Sequence, residues 1–245
     1  MTPRAPSIVI LTGAGISAES GIRTFRDQNG LWEDHRIEDV ATPEGFARNP
    51  QLVQAFYNAR RKQLLSPEVT PNPAHLALAH LQREWRSSFL LVTQNVDDLH
   101  ERAGSHGVLH MHGELLRARC RHTEKDLPWR EDLDQHTPCP CCKKPGALRP
   151  HIVWFGEMPF EMDLIFKAVA ECDLFLSIGT SGNVYPAAGF VHETPRRARR
   201  VEINLEPSMM SNAFDEHVLG PAGREVPKFV DRLLDAPSNN PIDKP

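Results

Sequence analysis

The 245-residue sequence predicts an α/β fold: a mostly parallel sheet with helices on both faces, plus one small inserted cysteine module. Three observations carry this. Four short apolar runs, Ile8 to Leu11, Phe89 to Thr93, Leu174 to Ile178 and Val201 to Asn204, have the continuous hydrophobicity of strands buried on both faces. Helical spacing falls between and after them, and strands alternating with helices make a parallel sheet joined by right-handed crossovers. Residues 117–150, by contrast, are polar, lack a long apolar period and hold four of the five cysteines.

The first run leads into Thr12-Gly13-Ala14-Gly15-Ile16-Ser17-Ala18-Glu19-Ser20-Gly21. Glycines at a strand-to-helix turn let the backbone approach a phosphate, which N–H groups and the helix dipole then hold. The ribose-binding acid of a dinucleotide reductase would fall near Glu33 or Asp34, with no second strand before them, so that reading fails on context. Next, Val53, Phe56, Tyr57, Arg60 and Leu64 share one helical face. Arg60 thus lies on the side expected to be covered, where an unpaired guanidinium is costly, while Arg61 and Lys62 are expected to face solvent. On the residues alone, Arg60 either pairs with a protein carboxylate or snorkels outward.

Pro73 can open a helix carrying Leu78, Leu81 and Trp85. Met162, Ile165, Phe166 and Val169 repeat the helical spacing, as do Val226, Phe229, Val230, Leu233 and Leu234. The strand runs end in small or polar groups: Gln94-Asn95-Val96-Asp97, Gly179-Thr180-Ser181 and Asn204-Leu205-Glu206. Open α/β sheets bind ligands beyond such carboxyl ends.

The module contains Cys139-Pro140-Cys141-Cys142, whose C-x-x-C pair has the spacing of half a zinc site. The other candidate half, Cys120-Arg121-His122-Thr123, supplies one cysteine and then a threonine. Cys120, Cys139 and Cys142 are the expected ligands; Cys141 or His122 is the candidate fourth, and a three-ligand or empty site is the alternative. A segment without its own core needs such a staple, and a redox C-x-x-C lacks its preceding strand. Cys172 reads as a small buried hydrophobe.

A net charge of -4 gives no reason to expect a nucleic-acid partner, and the basic cluster Arg196 to Arg200 reads as a solvated turn before a strand. No apolar run approaches membrane-spanning length. Five bunched cysteines argue against a secreted disulfide framework. The expectation is a cytoplasmic protein with no membrane partner and a disordered tail at 236–245.

Gly13-Ala14-Gly15-Ile16-Ser17 and Gly21-Ile22-Arg23-Thr24-Phe25-Arg26 together resemble the sirtuin signature. Thr93-Gln94-Asn95-Val96-Asp97, His112-Gly113, Val153-Trp154-Phe155-Gly156-Glu157, Gly179-Thr180-Ser181 and Asn204 continue the match in order. The resemblance spans residues 8–235 and implies an NAD-dependent protein-lysine deacylase of bacterial type. It implies a discontinuous Rossmann-like domain (1–116 and 151–235) and a zinc-ribbon-like module (117–150). Gly13, Ala14, Gly15, Ser17, Thr24, Phe25, Arg26 and Trp32 would line the pyrophosphate and nicotinamide-ribose side of NAD. Gln94, Asn95, Val96 and Asp97 would hold the ribose and nicotinamide pocket. Gly179, Thr180, Ser181, Asn204, Leu205, Glu206 and Ala222 would hold the adenosine half.

An acyl-lysine peptide would lie as a strand between Val153, Phe155, Gly156, Glu157 and the stretch Gly182 to Tyr185 that includes Val184, an arrangement in which backbone bonds give affinity. The implied products are nicotinamide, free lysine and O-acyl-ADP-ribose. By spacing, His110 and His112 point to one side of an extended segment and could be metal ligands. The resemblance selects His112 as general base, with Asn95 beside it in the catalytic set, and leaves the zinc structural. Tyr57-Asn58-Ala59-Arg60 resembles the Tyr-x-x-Arg of the branch that removes succinyl and malonyl groups, whose carboxylate a guanidinium can grip. An NAD-dependent ADP-ribosyltransferase using the same pocket is the alternative.

Overall fold

A computed structural model describes residues 6–22, 31–32 and 35–235. The strands in chain order are β1 (Ile8–Thr12), β2 (Leu31–Trp32), β3 (His35–Arg36), β4 (Phe89–Thr93), β5 (Leu109–His110), β6 (Gly113–Cys120), β7 (Asp126–Pro128), β8 (Leu148–Ile152), β9 (Leu174–Ile178), β10 (Arg199–Asn204) and β11 (Glu216–Leu219). The helices are α1 (Ile37–Val40), α2 (Pro43–Arg48), α3 (Pro50–Leu64), α4 (Pro73–Glu84), α5 (Leu99–Arg102), α6 (Met162–Glu171) and α7 (Ala222–Asp235).

Six strands form one parallel sheet in the order β11-β10-β9-β1-β4-β5. All five residues of β1 are buried, because β4 and β9 flank it and both faces are covered. Alternate side chains serve alternate faces. Ile8 and Ile10 pack with Leu78 and Leu81 of α4 and Val226, Phe229 and Val230 of α7. Val9 and Leu11 pack with Ile165 and Val169 of α6 and with Phe190. Local signals open the helices. Asn72 accepts from Ala74 N at 2.9 Å, with Pro73 in the first turn of α4, and Asn49 accepts from Leu52 N at 3.0 Å before α3, each satisfying a donor the helix leaves orphaned.

The four foreseen runs are all strands of this sheet. The sequence did not reveal β5, two residues long, or β11, a half-exposed edge with no apolar run. In the basic cluster, Arg196 and Arg197 form an exposed turn before β10, as expected, but the last two arginines depart from that expectation. Arg199 and Arg200 lie inside β10, where Arg199 pairs with Glu216 and Arg200 holds Asp215 at 2.8 and 3.1 Å. Arg197 reaches Asp173 at 3.2 Å.

A second sheet, antiparallel in the order β7-β6-β8, runs from Gly113 to Ile152, a few residues beyond the 117–150 segment at each end. Gly113 is required there: at φ +84°, a Cβ would sit 2.0 Å from His151 O. Ala118, Cys120, Leu133, Cys139, Ala147 and Leu148 form its small core. Helices α1 to α3 pack separately, placing Val53, Phe56, Tyr57 and Leu64 against Leu115, Ile152 and Trp154.

Arg61 corrects the solvent-facing expectation. It is 1% exposed, with Nε donating to Leu115 O at 3.1 Å and Nη1 to Asn58 Oδ1 at 2.9 Å. Lys62 is exposed as expected. The helical face therefore extends one residue further, because β6 covers that flank of α3. The tail 236–245 lies outside the described residues.

Candidate active site

The polar strand ends converge on one edge of the sheet. After β1 the chain turns into a short 3-10 helix, Ala14–Ser20, where the glycine pattern suggested an ordinary helix. Gly13 N donates to Ile178 O at 2.9 Å and Gly15 N to Gly179 O at 2.8 Å. A Cβ on Gly13 would meet Gly179 O at 2.8 Å, and one on Gly15 would meet Gly179 Cα at 2.7 Å. These glycines are thus demanded first by the approach of two loops of this chain. Gly179 itself takes φ +65°.

Beside that contact lies a buried polar network. Asn95, 7% exposed, donates through Nδ2 to Gly13 O at 3.2 Å and to Ser17 Oγ at 3.0 Å. Ser17 Oγ in turn donates to Asp97 Oδ2 at 3.0 Å. Burial raises the Asp97 carboxyl to about 6, against the opposing bonds from Leu99 N–H and Ser17. Gln94 Nε2 donates to Thr180 Oγ1 at 3.1 Å, linking the β4 and β9 ends. Asn204 Nδ2 donates to Thr180 O at 2.9 Å and to the fully buried Glu202 at 3.0 Å, bringing in β10. Leu205 and Glu206 are exposed just past that strand, Ser181 is exposed, and Ala222 is buried at the start of α7. Val96 is half-buried and packs against the α1–α3 cluster. Thr24, Phe25 and Arg26 lie outside the described residues, as does the side chain of Trp32.

His112 follows β5, half-buried, with Nδ1 3.1 Å from Gln94 O. A carbonyl only accepts, so Nδ1 carries the proton and the neutral ring keeps its lone pair at Nε2. Burial lowers the His112 pKa, and the Gln94 bond opposes this only in part. His110 is placed differently. Its Nδ1 reaches Asn95 O at 3.2 Å and its Nε2 reaches Glu101 at 2.9 Å. Burial works against its charge, yet the Glu101 bond and charge prevail and the pKa is raised. His110 is thus committed to an ion pair.

On α3, Tyr57 is 1% exposed and its oxygen accepts from Trp154 Nε1 at 3.0 Å. Burial raises its pKa well above the phenol range, so it keeps its proton. One turn on, the Arg60 guanidinium lies 4.4 Å from the centre of the Phe56 ring. Val153 N bonds His112 O at 2.9 Å, and Phe155 N bonds Ala41 O at 2.9 Å. This ties the expected peptide-binding segment to the histidine loop and to α1. Phe155 and Gly156 are exposed, and Val184 is half-buried on the opposite segment. The Glu157 carboxylate faces inward, taking Arg149 at 2.6 and 2.9 Å and Trp154 N at 2.8 Å. Trp154 is the residue that sequence reasoning passed over. The motif named it, but nothing in its spacing announces a hydrogen bond across 97 positions.

The Sγ atoms of Cys120, Cys139, Cys141 and Cys142 lie within 4.8 Å of one another. Cys120 to Cys142 is 3.7 Å and Cys139 to Cys141 is 3.0 Å. A tetrahedral zinc with four thiolates has sulfur–sulfur edges of about 3.8 Å, so the cluster fits that ion. Cys141, rather than His122, completes the set. Cys172 is fully buried in the sheet core, where burial pushes its thiol to about 12.

The Sir2 family profile matches residues 13–186. A Bdellovibrio bacteriovorus protein named NAD-dependent protein deacylase is 62% identical over 229 residues, covering 94% of this chain and 97% of that one. An Escherichia coli protein of the same name is 61% identical over 230 residues, covering 94% and 82%. Among solved structures, a Sir2 homologue–NAD complex superposes with a TM-score of 0.83 at 38% identity, covering 92% of this chain and 88% of that one. A Sir2–p53 peptide–NAD+ complex superposes with a TM-score of 0.75 at 29% identity, covering 94% and 92%. Since the profile takes in well over half the sequence and relatives above 60% identity take in nearly all of it, the chain belongs to the Sir2 family.

Proposed function

We propose that this chain is an NAD-dependent protein-lysine deacylase whose preferred acyl groups end in a carboxylate, succinyl and malonyl, with acetyl also accepted. Its deacylase relatives and the NAD complexes of its structural neighbours support the first part. One observation carries the second. Tyr57 and Arg60 stand one turn apart on α3, with the phenol buried and protonated and the guanidinium laid along Phe56. A cation that can bond in two places, beside a hydroxyl donor, suits a carboxylate and gives an acetyl methyl nothing to bind.

The roles in this reading are carried over from the family pattern. NAD supplies a ribose carbon open to attack once nicotinamide leaves. Gly13, Ala14, Gly15, Ser17, Gln94, Asn95, Val96 and Asp97 would hold the ribose and nicotinamide side of NAD, and the same pattern assigns Thr24, Phe25, Arg26 and Trp32, which lie outside the described residues or have side chains that do, to that side. Gly179, Thr180, Ser181, Asn204, Leu205, Glu206 and Ala222 hold the adenosine half. His112 takes a ribose hydroxyl proton at Nε2, its ring fixed by the Gln94 carbonyl. The peptide backbone pairs with the Val153–Glu157 segment and the strip at Val184. The amides of Val153, Trp154, Phe155 and Glu157 already bond within the chain, so the visiting strand uses Gly156 N–H and carbonyls. Cys120, Cys139, Cys141 and Cys142 hold a structural zinc. Among the described residues no helix is long and apolar enough to cross a membrane. No nucleic-acid partner is proposed.

The test is mass spectrometry of matched acetyl-, succinyl- and malonyl-lysine peptides with and without NAD. Arg60→Met is expected to lower succinyl-lysine kcat/KM roughly 10- to 100-fold more than acetyl-lysine kcat/KM, the scale of one lost charged, two-point contact. Equal losses refute the carboxylate reading and leave the deacylase reading intact. Attachment of labelled ADP-ribose to protein, in place of nicotinamide release coupled to deacylation, favours a transferase instead.

A further inference from the structure

We infer that Trp154 is a specificity-determining positioning residue: its indole N–H orients the Tyr57 hydroxyl so that the phenol proton is presented in one fixed direction. The inference rests on the carboxylate-acyl reading above and extends it to a residue outside the Tyr-x-x-Arg pair.

The chemistry allows little freedom. An indole nitrogen can only donate, so at 3.0 Å from Tyr57 Oη the Trp154 proton points at the phenol oxygen. A phenol O–H lies in the plane of its ring and has two orientations, one on each side of the C–O bond. With Trp154 donating to one side, the Tyr57 proton is confined to the other. Both residues are nearly sealed from water, at 2% and 1% exposure, so no solvent molecule competes for the indole donor. Burial also keeps the phenol protonated across any physiological pH. Tyr57 is therefore a donor whose direction a second residue sets.

Trp154 is itself clamped. The Arg149 guanidinium lies 3.4 Å from the centre of its ring, and the same guanidinium grips Glu157 at 2.6 and 2.9 Å. Glu157 Oε2 accepts from Trp154 N at 2.8 Å, and Phe46 packs on the indole with ring centres 5.2 Å apart. Backbone and ring are thus fixed by one ion pair, which is the support that a hydroxyl-orienting donor needs. The clamp also explains why the Glu157 carboxylate turns inward from the peptide-binding segment.

Trp154→Phe keeps an aromatic ring for Arg149 and Phe46 and deletes the donor. The ratio of succinyl-lysine to acetyl-lysine kcat/KM is expected to fall about tenfold, on the scale of one buried hydrogen bond, with the loss appearing as a raised KM for the succinyl peptide. In a Tyr57→Phe background the same change is expected to leave that ratio where Tyr57→Phe alone puts it, because the two residues act as one unit. An unchanged ratio overturns the inference. So do equal losses on both peptides, or a Trp154→Phe effect that persists undiminished without the Tyr57 hydroxyl. A wild-type chain that does not turn over succinyl-lysine instead removes the acyl-class reading itself, so the two failures are told apart.

Discussion

Replacing His112 by alanine is expected to lower NAD-dependent release of nicotinamide in the presence of an acyl-lysine peptide by roughly 10²- to 10⁴-fold, the range for loss of a general base. Circular dichroism and Tm should stay near wild type, because the imidazole is only half-buried and holds the fold by one bond to Gln94 O. The pH profile gives a second check. The base must be neutral, with its lone pair at Nε2. Burial holds the His112 pKa below its ordinary 6.5, so the neutral form gains as pH rises through a value under 6.5. The acid limb of kcat/KM should therefore have its midpoint below 6.5, with a plateau by neutral pH. His110 predicts the reverse, since Glu101 holds its pKa above 6.5 and keeps it charged to higher pH. A limb above 6.5 that survives His112→Ala assigns the titration elsewhere and removes His112 from the base role.

The sequence disclosed most where burial is two-sided or a backbone requirement leaves only one residue type. Strand β1 is apolar from Ile8 to Leu11 because two strands and two helical layers enclose it. The glycines of its turn declared a close approach, although the surface approached first is Gly179 of the same chain. Edge strand β11 was hidden because one open side lets Glu216 and His217 occupy strand positions. The error at Arg61 has the same origin in reverse. Helical periodicity marks a face but not its width, and β6 widens this one by offering Leu115 O to the guanidinium. In the site, His112, Asn95 and Asp97 were legible as a pattern. The bonds that join Asn95 and Asp97 through Ser17 were not, since contacts across 78 and 80 positions leave no local mark.

Removing the metal from the cysteine cluster is expected to reach Tyr57 and Arg60 on α3, the residues proposed to take the acyl carboxylate. A strong chelator should release about one Zn2+ per chain, as a four-thiolate site holds, and fluorescence of Trp129, which packs on the module core, should shift to the red. Structural zinc sites contribute about 10–16 kcal/mol of apparent binding energy in small peptides, more than this core of six buried residues can replace. Leu133 is one of those six. Its N–H and C=O bond Asn58 Oδ1 and Nδ2, both at 2.9 Å, and Asn58 lies on α3 between Tyr57 and Arg60. Melting the module frees Asn58 and leaves Arg61, which shares its Oδ1 at 2.9 Å, buried beside a broken partner. Both changes loosen the turn of α3 that presents Tyr57 and Arg60. Zinc-depleted protein should therefore lose succinyl-lysine turnover about tenfold more than acetyl-lysine turnover, on the scale of two lost hydrogen bonds, and recover when zinc is restored. Cys141→Ser should lower zinc content by elemental analysis and reproduce the selectivity loss, whereas His122→Ala and Cys172→Ser should do neither. Full zinc in Cys141→Ser would refute the fourth ligand. Equal loss on both substrates after chelation would mean that the module supports the whole site, and that Asn58 is not the link.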